Sequence, residues 1–280
     1  MTDRIARKTG LYILVIVVAL IAIFPFLLMV SYSLRSSNDI FSLDTGIIPR
    51  RPTLEAYRNA FFSYAIAGFG LGRWAINSLV VCGVSTGIAI YISALCGYGI
   101  TRYRFRGRDL AWFLVILTQL VPWIVVLIPF YSIIVRFGML DSLASLGVTY
   151  VTIFTPVCAW LFIGFFQSLP VEIEEAARID GCSALRVFHR IILPLAIPGI
   201  SAVALFAFVI GWGDFLMASV IVKSAHNWTL PLGLVSFRGE HKILWAESMA
   251  VASLVTIPIV ALFLYLQKNL INLMTGGVKG

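Results

Sequence analysis

The sequence predicts an all-α protein that crosses a membrane with six transmembrane helices. Of its 280 residues, 60% are hydrophobic and 12% are charged, whereas charged residues make up about a quarter of an ordinary globular domain. Six apolar runs are long enough to cross a hydrocarbon core, which takes about 20 residues of helix. Backbone groups in lipid must be satisfied within the chain, and the alternating pattern of a β-barrel strand is absent. The six runs are therefore predicted to be helices.

The predicted spans follow one another without an internal repeat or a low-complexity segment between them. They are Leu11–Leu34, Trp74–Ile100, Leu110–Val135, Leu146–Gln167, Leu195–Val222 and Trp245–Gln267. The first follows a basic stretch, as a secretion signal would, but it is too long and lacks a small-residue cleavage site, so we expect a retained helix. We expect one transmembrane domain over residues 1–280, with a core at about 74–268 to which helix 11–34 and segment 35–73 are added.

Basic residues in the loops predict the orientation of the chain. The loop between the second and third spans carries Arg102, Arg104, Arg106 and Arg108, and such loops face the cytoplasm. With six spans, both termini and the segment 168–194 share that side. Basic loops at a membrane surface thereby explain the net charge of +8. The sequence shows no polar domain with a basic stripe of the kind that binds nucleic acid.

A polar segment at residues 168–194 separates the fourth and fifth spans. Pro170 suits the first position of a helix, and the glutamates that follow oppose the positive end of the helix dipole. Gly181 suits a left-handed helix end, Ser183 can cap a second short helix, and Pro194 is expected to close it. The segment is thus predicted to form two short helices that meet at Gly181.

The order E-A-A, three residues, G, nine residues, I-x-L-P runs from Glu175-Ala176-Ala177 through Gly181 to Ile191-Ile192-Leu193-Pro194. It resembles the coupling loop of bacterial ABC importer permeases, which implies the type I (MetI-like) permease fold and docking on an ATPase. The residues implied in coupling are Glu175, Ala176, Ala177, Asp180, Gly181, Leu185 and Phe188. Leu185 and Phe188, three apart, are expected to share one face. An amphipathic helix lying on lipid is less favoured, because such helices prefer Lys and Arg.

Further motifs are similar to those of the sugar-importer branch of this family, the branch of the maltose-type subunits. They are Arg104-Phe105 with Gly107-Arg108, Thr229 to Leu234, and the C-terminal residues 276–280. The resemblance implies a second permease subunit, two ATP-binding subunits, an extracytoplasmic sugar-binding protein and the bacterial inner membrane. The implied substrate is a di- or oligosaccharide; glycerol phosphate or another small polar solute is the alternative. Arg106 stands in the place of a usual proline, and the tail is one residue short.

The fifth span contains Trp212-Gly213-Asp214, where the family often has Trp-Asn followed by an acid. Asp214 is the acidic residue well inside a predicted span, and such residues are costly in lipid and often functional. Asp214 and Trp212 could line a translocation cavity, where they would bind sugar hydroxyls and stack on a sugar ring. A structural hydrogen bond to a neighbouring helix is the favoured alternative for Asp214.

Several classes of function are excluded or disfavoured by what the sequence lacks. No phosphate-binding loop occurs, so ATP and Mg²⁺ are expected on partner subunits, and the chain is not expected to be an enzyme or to bind a cofactor or metal itself. The four cysteines have no metal or disulfide spacing. An ion-coupled secondary transporter would show repeats with paired broken helices. Finally, small residues at Gly83, Gly87, Ala89, Ser93 and Gly97 predict close helix packing, within the chain or in a dimer.

Overall fold

The computed structural model describes residues 2–36, 39–40, 46–238 and 244–276. These residues are mostly helical. The helices are α1 Thr2–Ser33, α2 Glu55–Arg58, α3 Leu71–Arg102, α4 Arg108–Leu120, α5 Trp123–Arg136, α6 Leu143–Gln167, α7 Glu172–Ile179, α8 Ala184–Val187, α9 Leu193–Leu195, α10 Ile197–Trp212, α11 Leu216–Ile221, α12 Leu230–Ser236 and α13 Trp245–Gly276. One π-helical turn, Asn59–Ser63, follows α2; another, Phe188–Ile192, joins α8 to α9; Ala225–Asn227 is a 3₁₀ turn.

Four of the predicted spans are continuous helices that are long and apolar enough to cross a membrane: α1, α3, α6 and α13. The other candidate spans are bent pairs. Helix α4 meets α5 at 101°, and the helical segment 184–195 meets α10 at 76°. Counting each bent pair as one span gives the predicted six.

The prediction that the third span is one continuous helix from Leu110 to Val135 is therefore wrong. Val121 has an extended backbone, and Pro122 precedes the first residue of α5. A residue before proline is disfavoured in the helical conformation, and proline has no N–H to continue the ladder. The fifth span, predicted as Leu195–Val222, is likewise interrupted, because α10 ends at Trp212 and α11 begins only at Leu216.

The chain divides into two compact units, residues up to 72 with 233–258, and residues 73–232 with those from 259 onward. In the first unit, Ala56, Ala246 and Ala250 form a small buried cluster. The ring of Tyr64 stacks on Phe237 at 4.0 Å. A short antiparallel hairpin, β1 Ala65–Ile66 and β2 Phe69–Gly70, also lies in this unit, and the sequence pattern did not predict it.

In the second unit, α3 packs closely on α6. A Cβ atom added at Gly97 would lie 2.9 Å from the Cβ of Phe162, so only glycine fits there. Ser93 Oγ donates to the Thr155 carbonyl at 2.8 Å. Ala89 is fully buried, whereas Gly83 and Gly87 are exposed with open space around them. Within the chain, the predicted stripe of small residues therefore packs closely only at Ala89, Ser93 and Gly97.

Residues 223–230 of the second unit form hydrogen bonds with α3 and with Asp141, in the loop between α5 and α6. Asp141 Oδ1 accepts from the backbone N–H groups of Lys223 and Ser224 at 2.9 and 3.0 Å. Burial raises the pKa of the Asp141 carboxyl, but hydrogen bonds from Ser224, Lys223 and Asn227 together lower the pKa below its ordinary value. From α3, Trp74 Nε1 donates to the Ala225 carbonyl at 2.8 Å, and Asn77 donates to the Trp228 carbonyl at 2.9 Å.

Candidate functional site

The segment after α6 forms the two short helices that the sequence predicts, with shifted ends. Helix α7 begins at Glu172, two residues after Pro170. It ends before Gly181, whose φ of +82° lies in the left-handed region that glycine adopts without strain. Ser183 precedes α8 as predicted, but its side chain makes no capping hydrogen bond. Pro194 does not close the second helix, because it lies in the first turn of α9, where a missing N–H is tolerated.

Most of the predicted coupling residues lie on the surface of this segment. Glu175, Ala176, Asp180, Gly181 and Leu185 are all exposed. Ile179, at the end of α7, is 87% exposed and was not among the residues predicted to act in coupling. Ile179 lies four residues after Glu175, on the same side of the helix. We call Glu175, Ala176, Ile179 and Asp180 the exposed face of α7.

Two of the predicted coupling residues point into the protein instead. Ala177 is buried on the opposite side of α7, and the Phe188 side chain is 1% exposed. The Phe188 ring lies 5.1 Å from the ring of Tyr98 in α3. Leu185 is 66% exposed, so the expectation that Leu185 and Phe188 share one face is wrong. Phe188 is the first residue of the following π-helical turn.

The inner side of α7 carries an ion pair that the sequence analysis missed. Arg102 Nε, at the end of α3, donates to Glu174 Oε1 at 2.6 Å, and both side chains are almost completely buried. Tyr98 Oη donates to the second carboxylate oxygen at 2.8 Å. Arg102 Nη2 also donates to the Leu169 carbonyl at 2.9 Å, which holds the linker between α6 and α7. The available sequence signal was the three-residue spacing of Glu174 and Ala177, which places both on one helix face.

The two predicted cavity residues lie in the interrupted fifth span. Trp212 is 1% exposed, and its indole stacks on Phe208 at 5.5 Å. Asp214 Oδ2 accepts from Tyr150 Oη of α6 at 2.9 Å and from the N–H of Ala218 at 3.0 Å. Its other oxygen accepts from the N–H of Met217 at 3.3 Å. The carboxylate therefore occupies the start of α11, where it satisfies N–H groups that a helix leaves unpaired.

Among residues 2–36, 39–40, 46–238 and 244–276, no three His, Cys, Asp or Glu side chains are grouped so that they could hold a metal ion. An exposed two-helix segment with its inner face fixed to α3 can bind another protein and pass a displacement to the helices behind it. The C-terminal motif residues 277–280 lie outside the described residues.

Comparisons with known proteins agree on one family. A family model described as "Binding-protein-dependent transport system inner membrane component" matches residues 89–275. The chain is 34% identical to the maltodextrin transport system permease protein MdxG of Bacillus subtilis (strain 168), covering 100% of this chain and 99% of that protein. It is 32% identical to the galactooligosaccharides transport system permease protein GanQ of the same organism, with coverages of 99% and 97%.

A solved structure is similar over nearly the same length. It is the crystal structure of a bacterial ABC transporter involved in the import of the acidic polysaccharide alginate. One chain of that structure superposes with a TM-score of 0.80 at 19% sequence identity, covering 96% of this chain and 97% of that one. At this level of identity the likeness is evidence of a shared fold.

Proposed function

The chain belongs to the family of binding-protein-dependent transport system inner membrane components, and from that premise we propose that it passes a di- or oligosaccharide across the membrane in an ATP-driven importer. The family assignment made from the E-A-A motif is confirmed, as is the type I ABC importer permease fold. The chain is a transport subunit and not an enzyme. The observation that carries the mechanism is the exposed face of α7, built on an inner face that is fixed to α3 by a buried ion pair.

The segment 168–194 is proposed to be the docking element for an ATPase subunit. Its exposed face offers the apolar side chain of Ile179 beside the carboxylates of Glu175 and Asp180. An apolar anchor surrounded by charges is a common composition for a protein-binding patch. Ala176 leaves room for close approach of the partner. A basic group on the partner would complement Glu175.

The proposed assembly is based on the family and on the orientation rule for basic loops. We propose that both termini, the 102–108 loop and the segment 168–194 lie in the cytoplasm of a bacterium. The importer would contain a second, homologous permease subunit, two ATP-binding subunits that hold ATP and Mg²⁺, and an extracytoplasmic sugar-binding protein. ATP binding would close the ATPases, and the displaced α7 would open the bundle towards the loaded binding protein. Nucleotide and substrate shift populations by binding one arrangement more tightly than the other.

The substrate class rests on the relatives. MdxG and GanQ are named for maltodextrin and galactooligosaccharide transport, and both align over essentially the whole chain. For Asp214 we propose a structural role, since Tyr150, Met217 and Ala218 already donate to its carboxylate. Trp212 is buried within this chain, so stacking of its ring on a sugar would require a rearrangement of α10.

Reconstitution tests the proposal. The complex captured through an affinity tag on this chain is placed in liposomes with ATP inside and its binding protein outside. Labelled maltodextrins, galactooligosaccharides and glycerol 3-phosphate are offered in parallel. Uptake of one of the oligosaccharides that requires both ATP and the binding protein supports the proposal. Uptake of glycerol 3-phosphate alone would refute the sugar assignment, and uptake driven by an ion gradient without ATP would refute the mechanism.

A further inference from the structure

We propose that Arg102 and Glu174 are a positioning pair that makes α3 and α7 move as one body, so that α3 carries the coupling movement across the membrane. The inference rests on the proposed function of α7 as the ATPase-docking element. It goes beyond that function, because docking needs only the exposed face of α7. The pair lies on the opposite face of α7 and is buried within this chain.

The geometry fixes α7 in both position and rotation. Glu174 receives hydrogen bonds at both carboxylate oxygens, from Arg102 at 2.6 Å and from Tyr98 at 2.8 Å. Tyr98 and Arg102 are four residues apart and therefore lie on the same face of α3. Since two donors on one helix hold two oxygens on the other, α7 cannot turn about its axis without breaking a bond. Arg102 also holds the Leu169 carbonyl of the linker.

Stability alone does not explain a pair of this kind. Removing two charges from water is costly, and well-packed apolar residues can replace a buried ion pair with little loss or even a gain of stability. A charge-assisted, directional pair instead selects one arrangement of the two helices. The Phe188 ring, buried against Tyr98 at 5.1 Å, adds an apolar contact from the second half of the docking segment to the same point of α3.

The other end of α3 is held just as closely to residues 225–230. Trp74, Asn77 and Ser78 all bond to that segment, the last by accepting the N–H of Leu230 at 2.7 Å. Between these contacts and Arg102, α3 is one uninterrupted helix. Its 32 residues correspond to about 48 Å at 1.5 Å per residue. A displacement of α7 would therefore reach residues 225–230 through a single rigid helix.

A distance measurement on a protein that keeps Arg102 and Glu174 tests the proposal first. After the four native cysteines are replaced, spin labels are placed at exposed Ile92 of α3 and exposed Glu172 of α7, and distances are measured in the complete complex. We expect the same distance without nucleotide and with a non-hydrolysable ATP analogue and Mg²⁺. A distance that changes by several ångströms between the two states would overturn the proposal.

A matched pair of variants then tests the role of the carboxylate. Glu174→Gln keeps the shape but removes the charge, and Asp109→Asn makes the same kind of change at an exposed carboxylate in the first turn of α4, outside the docking segment. We expect Glu174→Gln to lower sugar uptake per ATP hydrolysed by about tenfold, because the remaining Arg102 is buried without its counter-charge. Glu174→Asp should restore part of the ratio, and Asp109→Asn should leave it unchanged.

The outcomes separate the inference from the proposed function. A wild-type ratio in the Glu174→Gln complex would refute the positioning role while leaving the importer function intact. If the wild-type complex showed no ATP-dependent uptake, the proposed function would fail instead. If Glu174→Gln prevents assembly of the complex, the distance in the spin-labelled protein that keeps Glu174 still decides the question.

Discussion

Two buried or half-buried carboxylates lie near opposite ends of α6, and they are held in different ways. Glu174, beyond the end of α6, is paired with the guanidinium of Arg102 in another helix. Asp214, beside the first half of α6, accepts one tyrosine hydroxyl and two backbone N–H groups that begin α11. The ion pair of Glu174 joins α7 to α3, two helices that are far apart in the sequence. The carboxylate of Asp214 restarts a helix that has just been interrupted and holds it to Tyr150.

In the proposed mechanism, the difference separates a site that transmits movement from one that maintains structure. Glu174 lies on the side of α7 opposite the proposed docking face, so its ion pair would pass a force on α7 to α3. Around Asp214 the partners are mostly local, within four residues of the chain. We therefore expect substitutions at the first site to affect coupling and stability together, and substitutions at the second to affect stability alone.

The largest expected effect comes from removing the cation at the Glu174 site. Arg102→Met leaves a buried carboxylate without its counter-charge and should lower the free energy of unfolding by about 3–5 kcal/mol. Arg104→Met, at an exposed position of the same loop, is the control and should have little effect. Thermal unfolding of both proteins in the same detergent gives the comparison. Equal melting temperatures would mean that the ion pair contributes nothing.

Overpacking the contact between α3 and α6, at Gly97 next to Tyr98, should give the next largest effect. Gly97→Ala places a methyl group 2.9 Å from the Cβ of Phe162 and should destabilise by about 1–3 kcal/mol through overpacking. Gly87→Ala, in open space on the same helix, should be neutral or slightly stabilising, because alanine favours a helix by up to about 1 kcal/mol over glycine. Thermal unfolding distinguishes them, and a Gly97→Ala protein as stable as Gly87→Ala would refute the close α3–α6 contact.

At the Asp214 site we expect a smaller effect. Asp214→Ala removes acceptors at the start of α11 and should cost about 1–2 kcal/mol of stability. The apparent KM for the transported sugar should stay at the wild-type value, since the carboxylate is assigned a structural role. Tyr150→Phe, which removes one hydroxyl, should cost less than Asp214→Ala. A raised KM without a loss of stability would instead support the cavity role for Asp214.

The smallest effect is a pH dependence at Asp141. Its pKa is lowered in the folded protein by the N–H groups of Ser224 and Lys223, so it stabilises the fold above its unfolded pKa of about 3.9. That stabilisation is lost as pH falls through the lower folded pKa. Asp141→Asn tolerates the same left-handed backbone, φ +58°, and should flatten the fall in melting temperature below pH 5. An identical pH profile in both proteins would contradict this assignment.

Local sequence patterns predicted the parts of the fold that depend on residues close together in the chain. The two short helices of segment 168–194 were predicted from a proline, a run of glutamates, a glycine and a serine, each of which acts within a few residues. The four continuous spans follow from apolar length. The breaks in the third and fifth spans could not be predicted from the length of the apolar runs. The apolar sequence continues through Pro122 and Gly213, whereas the helical hydrogen bonds of the backbone are interrupted there.

The orientation of side chains within the site could not be predicted in the same way. Glu174 and Glu175 are adjacent and chemically identical, and only the position of Arg102 at the end of α3 determines which one is buried. Phe188 is buried against Tyr98 of α3, a contact between residues distant in the sequence that a three-residue spacing cannot reveal. The single-domain assignment over residues 1–280 stays a prediction, as do the roles of the coupling residues.

Site-specific cross-linking tests the central claim, that an ATPase docks on the exposed face of α7. A photo-reactive amino acid is placed at Ile179, the most exposed apolar residue of that face, and as a control at Ile48, which is 83% exposed on the predicted outer side. After illumination of intact cells, the account predicts a product between this chain and a nucleotide-binding subunit from position 179 and none from position 48. A nucleotide-binding subunit captured equally from both positions, or from neither, would contradict it.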